Sequence, residues 1–239
     1  MTGTAWRGAL CALSVAAELV LSSCVTRLGT RPPVKAGQPG VVSPALAATV
    51  RYAIDSQRSQ VLVLVYRDGP MAHLGHNHVI AVHELTGSVL MAGEPTQSTF
   101  AVDFAVEAMS VDDLTLRASL GPDFQSTVDE AAVAGTRDHM LGAALLNSKQ
   151  YPRIHLQSLQ IRTEADGLHA LTGIVVRDVT AQAEIPVSLQ NTGNDLTVSG
   201  EFDLTHRQLG LSPYSVALGA LRVAERMHVQ YRLVAHRQP

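Results

Sequence analysis

Past residue 24 this chain has no cysteine: Cys11 and Cys24, its two thiols, lie at the start of 239 residues. The remainder therefore holds no disulfide, no zinc–thiolate site and no cysteine nucleophile. Aromatic residues make up only 4% of the chain, too few for the stacking platforms that bind single-stranded nucleic acid. Excess basic charge is missing as well. A net charge of −3 leaves no cationic stripe to neutralise a phosphate backbone, so nucleic acid is excluded as a partner. No apolar run after residue 30 is long enough to cross a bilayer as a helix. The sequence also lacks a Gly-x-Ser-x-Gly elbow and a phosphate-cradling glycine loop.

What is present begins with an export signal. Arg7 supplies a positive start, residues 9–21 an apolar stretch, and Leu21-Ser22-Ser23-Cys24 resembles a bacterial lipobox. The expectation is a lipoprotein-type signal peptide over residues 1–23, with Cys24 lipidated and holding an exported, periplasmic or cell-envelope protein on its membrane. Several acyl chains at about 0.8 kcal/mol per buried CH₂ suffice as an anchor. Glu18 interrupts the apolar stretch at a cost of about 2 kcal/mol or more. Residues 24–49 are rich in proline and glycine without periodicity, a composition that reads as a flexible tether.

From residue 50 to 236 the dominant signal is alternation. Phe100, Val102, Phe104 and Val106 share one parity; so do Ala181, Ala183, Ile185, Val187 and Leu189. Leu196, Val198, Phe202 and Leu204 form a third such face, with Gly200 between them reading as a bend or bulge. Met227, Val229, Tyr231 and Leu233 form a fourth. Residues 61–66 are apolar on both faces, as in a strand covered on each side. Turn signals fall at residues 92–95, 165–167 and 191–194. One segment, residues 127–147, reads as helical. Thr136 is a candidate cap, Met140, Leu141, Ala144 and Leu145 an apolar stripe, and Asp129-Glu130 suit a helix's first turn. The fold class is therefore all-β and antiparallel with one short α-helical segment. One-faced strands need a second sheet or closure on themselves; closure of roughly eight strands leaves a small interior.

Arg137-Asp138 before the short apolar stripe, followed by Tyr151-Pro152-x-Ile154-x-x-x-Ser158, resembles the signature of the YceI-like, polyisoprenoid-binding family. Tyr52-Ala53-Ile54-Asp55 with Ser59, Thr86-Gly87-Ser88-Val89, Gly173-Ile174-Val175-Val176 and Arg207-x-x-Gly210 extend the likeness over roughly residues 50–235. The resemblance implies a lipocalin-like β-barrel and a long apolar ligand: a polyisoprenoid, a quinone-like lipid or a fatty amide. It implies a non-enzymatic protein with no required cofactor. On that footing Val102, Phe104, Leu196, Phe202 and Val229 are the candidate lumen residues. The family's usual histidine before Ser59 is replaced here by Arg58, and the family's His-Leu-Gly survives as His73-Leu74-Gly75.

That tripeptide opens a cluster, His73-Leu-Gly-His76-Asn-His78, ending at His83. On an extended segment His76 and His78 project to one face, the spacing that metals use on strands. His73 can join from a loop, and His206 shares the inward parity of Phe202 and Leu204. The competing expectation is thus a periplasmic metal-binding protein, a carrier or metal-assisted enzyme, holding zinc or copper on His73, His76, His78 and His206. The plainer reading is a turn at Gly75 and Asn77 whose histidines bond backbone or water.

Overall fold

The computed structural model describes residues 49–239. The expected signal peptide, Cys24 and the expected tether as far as residue 48 lie outside the described residues. Twelve strand segments follow in chain order: β1 Val50–Ile54, β2 Gln60–Asp68, β3 His78–Val82, β4 Thr86–Met91, β5 Thr99–Ala105 and β6 Ser110–Val111 come first. Two helices intervene, α1 Leu114–Ser119 and α2 Glu130–Leu141. Then come β7 Arg153–Glu164, β8 Gly167–Val176, β9 Val179–Asn191, β10 Asp195–Thr205, β11 Ser215–Val216 and β12 Leu221–Arg237.

The strands pair antiparallel throughout the described residues, and the sheet closes through β12. One side of that 17-residue strand pairs with β10. Its other side takes β2 along residues 222–232 and β1 along residues 235–237, so β1 and β2 lie end to end as one interrupted stave. β3 and β4 make a second such stave and β5 and β6 a third, which reduces the segments to an eight-stranded barrel. Closure removes the free edges that an open sheet would expose. The turns joining β7 to β8 and β9 to β10 are tight and lie at one end with the entry of β1. The long connections, residues 69–77, 106–152 and 206–220, gather at the other end.

The double apolar character of β2 has a direct cause. Val61, Val63 and Val65 point into the barrel, while Leu62 and Leu64 pack outside with Val79, Ala81 and Phe124, flanked by Leu116 and Leu120 of the α1 region. α1 itself was not expected from sequence. Its six residues are too few to display a helical period, but Asp113 caps it by accepting from the N–H groups of Thr115 and Leu116. α2 starts earlier than Thr136: Asp129 is its cap, accepting from Ala132 N–H, and Glu130 sits in its first turn. It stops before Gly142, so Ala144 and Leu145 lie in the turns that follow rather than on the helix.

Gly200 marks a close approach, not a bulge. A Cβ there would stand 2.4 Å from the Pro186 carbonyl oxygen. β9 and β10 pair only near the turn, through residues 188–191 and 196–199, and diverge beyond it. Tyr231, opposite Gly200 on β12, crosses that divergence and donates its hydroxyl to Pro186 O at 2.6 Å. Its partly enclosed position pushes the phenol up, so it remains a donor.

The β1–β2 break is clasped by charge. His236 of β12 bonds Asp195 through Nδ1 (2.5 Å) and Asp55 through Nε2 (2.9 Å), and Arg58 reaches Asp195 at 3.0 Å. Asp195 first, then Asp55, hold His236 above its ordinary value of 6.5. Arg58 and then His236 hold Asp195 below 3.8. At Asp55 desolvation pushes upward, but His236 and the N–H groups of Arg58 and Gln57 outweigh it and the carboxyl is lowered. The histidine's contribution is full below pH 6.5 and is lost as pH rises through its raised value; the aspartates' is present above pH 3.8 and is lost as pH falls through their lowered values. Thermal melts of wild type and His236→Gln across pH should therefore differ most between these two limits. The gap should narrow as the solution becomes alkaline.

Candidate functional site

The barrel is hollow. An upper cavity of about 380 Å³ lies at the end of the long connections, and a lower one of about 140 Å³ lies nearer the tight turns. Val61, Phe104, Leu156, Phe202 and Val229 border both, so these side chains form the girdle between two chambers. Below the lower chamber Tyr52, Leu196 and Ala235 are fully enclosed and plug the barrel end.

Four of the five expected lumen residues fit this geometry. Val102 lines the lower chamber, and Phe104, Phe202 and Val229 line both. Leu196 does not. It faces inward by parity but sits at the plugged end, packed with Tyr52 and Ala235 at 0% exposure. Alternation gives the side of a sheet; it carries no information about height along the barrel axis.

The upper chamber is where the histidines gather. His76 and His78 share one face, as their spacing requires, and line the chamber with His206 and with His139 of α2. α2 presents Ala132, Thr136, His139 and Met140 to the chamber, a run of residues spaced to lie on one helical face. His139 stacks on Tyr214 with ring centroids 4.4 Å apart. His73 is elsewhere: it lies on the 3₁₀ turn Ala72–Leu74, exposed, and does not line the chamber. His73 and the His76–His78 pair therefore do not converge as expected for a metal. The reason is that Gly75 ends the turn and only from His78 does the chain become strand. Among the described residues the triad with ligand atoms within 4.8 Å of one another is Glu164, Asp166 and His169, at the β7–β8 turn.

Asn77 holds the loop. Its side-chain oxygen accepts from Arg67 N–H, and its amide donates to Asp123 O at 3.0 Å. The segment is thereby tied to β2 and to the 3₁₀ turn Pro122–Phe124.

His78 is fixed by a partner that the sequence did not reveal. Its Nδ1 lies 2.6 Å from Asp112, whose side chain is fully enclosed. Asp112 also accepts from Val79 N–H at 3.0 Å and from Arg117 Nη1 at 2.6 Å. Arg117, itself buried, donates further to Asn77 O and Ser126 O. Burial pushes the Asp112 carboxyl upward, but bonds from His78, Val79 N–H and Arg117 prevail and hold it below the usual carboxylate range. It is an anion wired between an arginine and a cavity-lining imidazole. The sequence offered one signal, the acid pair Asp112-Asp113, which reads equally well as a strand end.

Two guanidinium groups stand at the same chamber wall. Arg67 donates to Gly75 O at 2.6 Å, and Arg222 pairs with Asp68 at 2.7 Å. Removing the Asp112 charge should be costly, since it leaves Arg117 buried without its counter-ion. Asp112→Asn, which keeps a residue tolerant of the left-handed backbone there, should lose about 3 kcal/mol or more in urea unfolding. Adding Arg117→Met should recover part of that loss.

A solved structure shares this architecture. A BcnA structure from Burkholderia cenocepacia superposes with a TM-score of 0.56 at 14% identity, covering 76% of this chain and 99% of that one. A YCEI protein structure from Campylobacter jejuni aligns with a TM-score of 0.45 at 8% identity, covering 67% of this chain and 85% of that one. No curated protein matches. The family model of the YceI-like domain matches residues 52–235, from within β1 to within β12, and the chain belongs to that family.

Proposed function

We propose that this chain is an exported, non-enzymatic lipoprotein whose barrel encloses a long apolar ligand. The observation that carries this reading is the two-chambered, aliphatic-walled cavity. At roughly 30 Å³ per carbon-sized group the upper chamber takes at least on the order of a dozen carbons and the lower about five. A prenyl tail of a few isoprene units, or a fatty chain of similar carbon count, matches that capacity. Enclosing it gains about 25 cal/mol for each Å² of apolar surface removed from water.

Membership of a family that typically binds ligands rather than catalyses supports a carrier over an enzyme. The lipid anchor rests on Leu21-Ser22-Ser23-Cys24. Cys24→Ser should shift the protein from the membrane fraction to the soluble fraction on cell fractionation.

Extraction of the purified protein into organic solvent, followed by mass spectrometry, should recover a lipid with a tail of this length. Val229→Trp, which fills the girdle between the chambers, should reduce the recovered lipid by about tenfold while the circular dichroism of the barrel persists, because overpacking costs about 1–3 kcal/mol. Recovery of no lipid from wild type, together with no uptake of added isoprenoids, would overturn the reading.

A further inference from the structure

Two imidazoles of the upper chamber have their tautomers fixed by what stands behind them. His206 is 4% exposed, and its Nδ1 lies 3.1 Å from the Glu225 carbonyl oxygen. A carbonyl only accepts, so Nδ1 carries the proton, and in the neutral form of the ring Nε2 is an acceptor. The Glu225 carbonyl lies one rung beyond the Thr205–Arg226 pair of the β10–β12 ladder, and the His206 N–H donates to the same oxygen at 3.0 Å. His78 follows the same logic. Its Nδ1 faces the ionised Asp112 at 2.6 Å, so Nδ1 donates, and in the neutral form of the ring Nε2 is left as the acceptor.

The Nε2 atoms of His78 and His206 have no hydrogen-bond partner among the described residues, while both rings line the chamber. His76, in the same wall, has a buried Nδ1 without a partner among those residues. The remaining wall is overwhelmingly aliphatic, and a hydrocarbon filling it would leave these nitrogens unsatisfied at a real cost. Of the two guanidinium groups at this wall, Arg222 is paired with Asp68, and Arg67 donates to the Gly75 carbonyl.

Resting on the apolar-ligand reading, we infer that the upper chamber is a head-group subsite selecting an amphiphile whose neutral head donates a hydrogen bond. Alcohols, phenols and primary amides belong to this class. Ethers, esters and oxidised quinones, which only accept, do not. His78 and His206 receive the head's proton donor, and the tail runs past the Phe104–Phe202 girdle into the lower chamber.

The test is a matched pair: 4-dodecylphenol and its methyl ether, each competing against a fluorescent fatty-acid probe on delipidated wild-type protein. The phenol should bind about tenfold more tightly than the ether. In His78→Phe/His206→Phe that gap should collapse, with ether affinity retained; each single variant serves if the pair fails to fold. Equal affinities in wild type would overturn the head-group subsite and leave the apolar-ligand reading standing. A phenol preference that survives both substitutions would overturn its assignment to these nitrogens. Failure of both compounds to bind would overturn the apolar-ligand reading, and the subsite with it.

Discussion

Closure through β12 is the constraint on which the other features depend. A strand of 17 residues is long enough to pair with β10 along one side and with β1 and β2 in succession along the other. Once it does, the sheet closes on itself, and each inward side chain faces other inward side chains across an enclosed space. The small aliphatic character of those residues then leaves that space incompletely filled. A hollow is the geometric result of closing eight staves around valines, alanines and leucines with few aromatics to fill the middle.

Closure also divides the molecule into two ends with different physics. The end with tight turns is sealed by Tyr52, Leu196 and Ala235, and it is where β1 begins. The opposite end carries the long connections, both helices and the polar groups that face the chamber. Charge is handled by pairing it behind the wall. Asp112 and Arg117 satisfy one another outside the lumen, and it is the His78 imidazole that lines the chamber. A charge left facing the aliphatic chamber would be far more costly to desolvate.

The barrel was largely legible because its period is regular. Val102, Phe104, Phe202 and Val229 were read inward from parity, and all four border the cavities. Residues 61–66, apolar on both faces, were read as a strand covered on each side, and the α1 region is what covers the outer one. The site was legible only in part. His76 and His78 were read to one common face and His206 to the inside, and all three line the upper chamber. Asp112, Arg117, His139 and Tyr214 went unread, because their roles come from contacts between segments far apart in sequence. The local errors share a cause. α1 is shorter than two helical turns, so no period can register. α2 contains Gly135 and alanines, which blur its apolar stripe and allowed Thr136 to be taken for a cap that Asp129 provides. Gly200 was read as a bend or bulge because sequence reports a missing side chain but not the Pro186 carbonyl that requires it.

By itself, then, the sequence determined which face each strand buries and that the walls are small and apolar, because both follow from local alternation and side-chain size. It determined too that His76 and His78 share a side. Tertiary structure alone decided that Leu196 plugs while Phe202 lines, that His73 stays outside, and that Asp112 orients His78. Those outcomes depend on height along the barrel and on distant partners, quantities that only closure of the sheet brings into being.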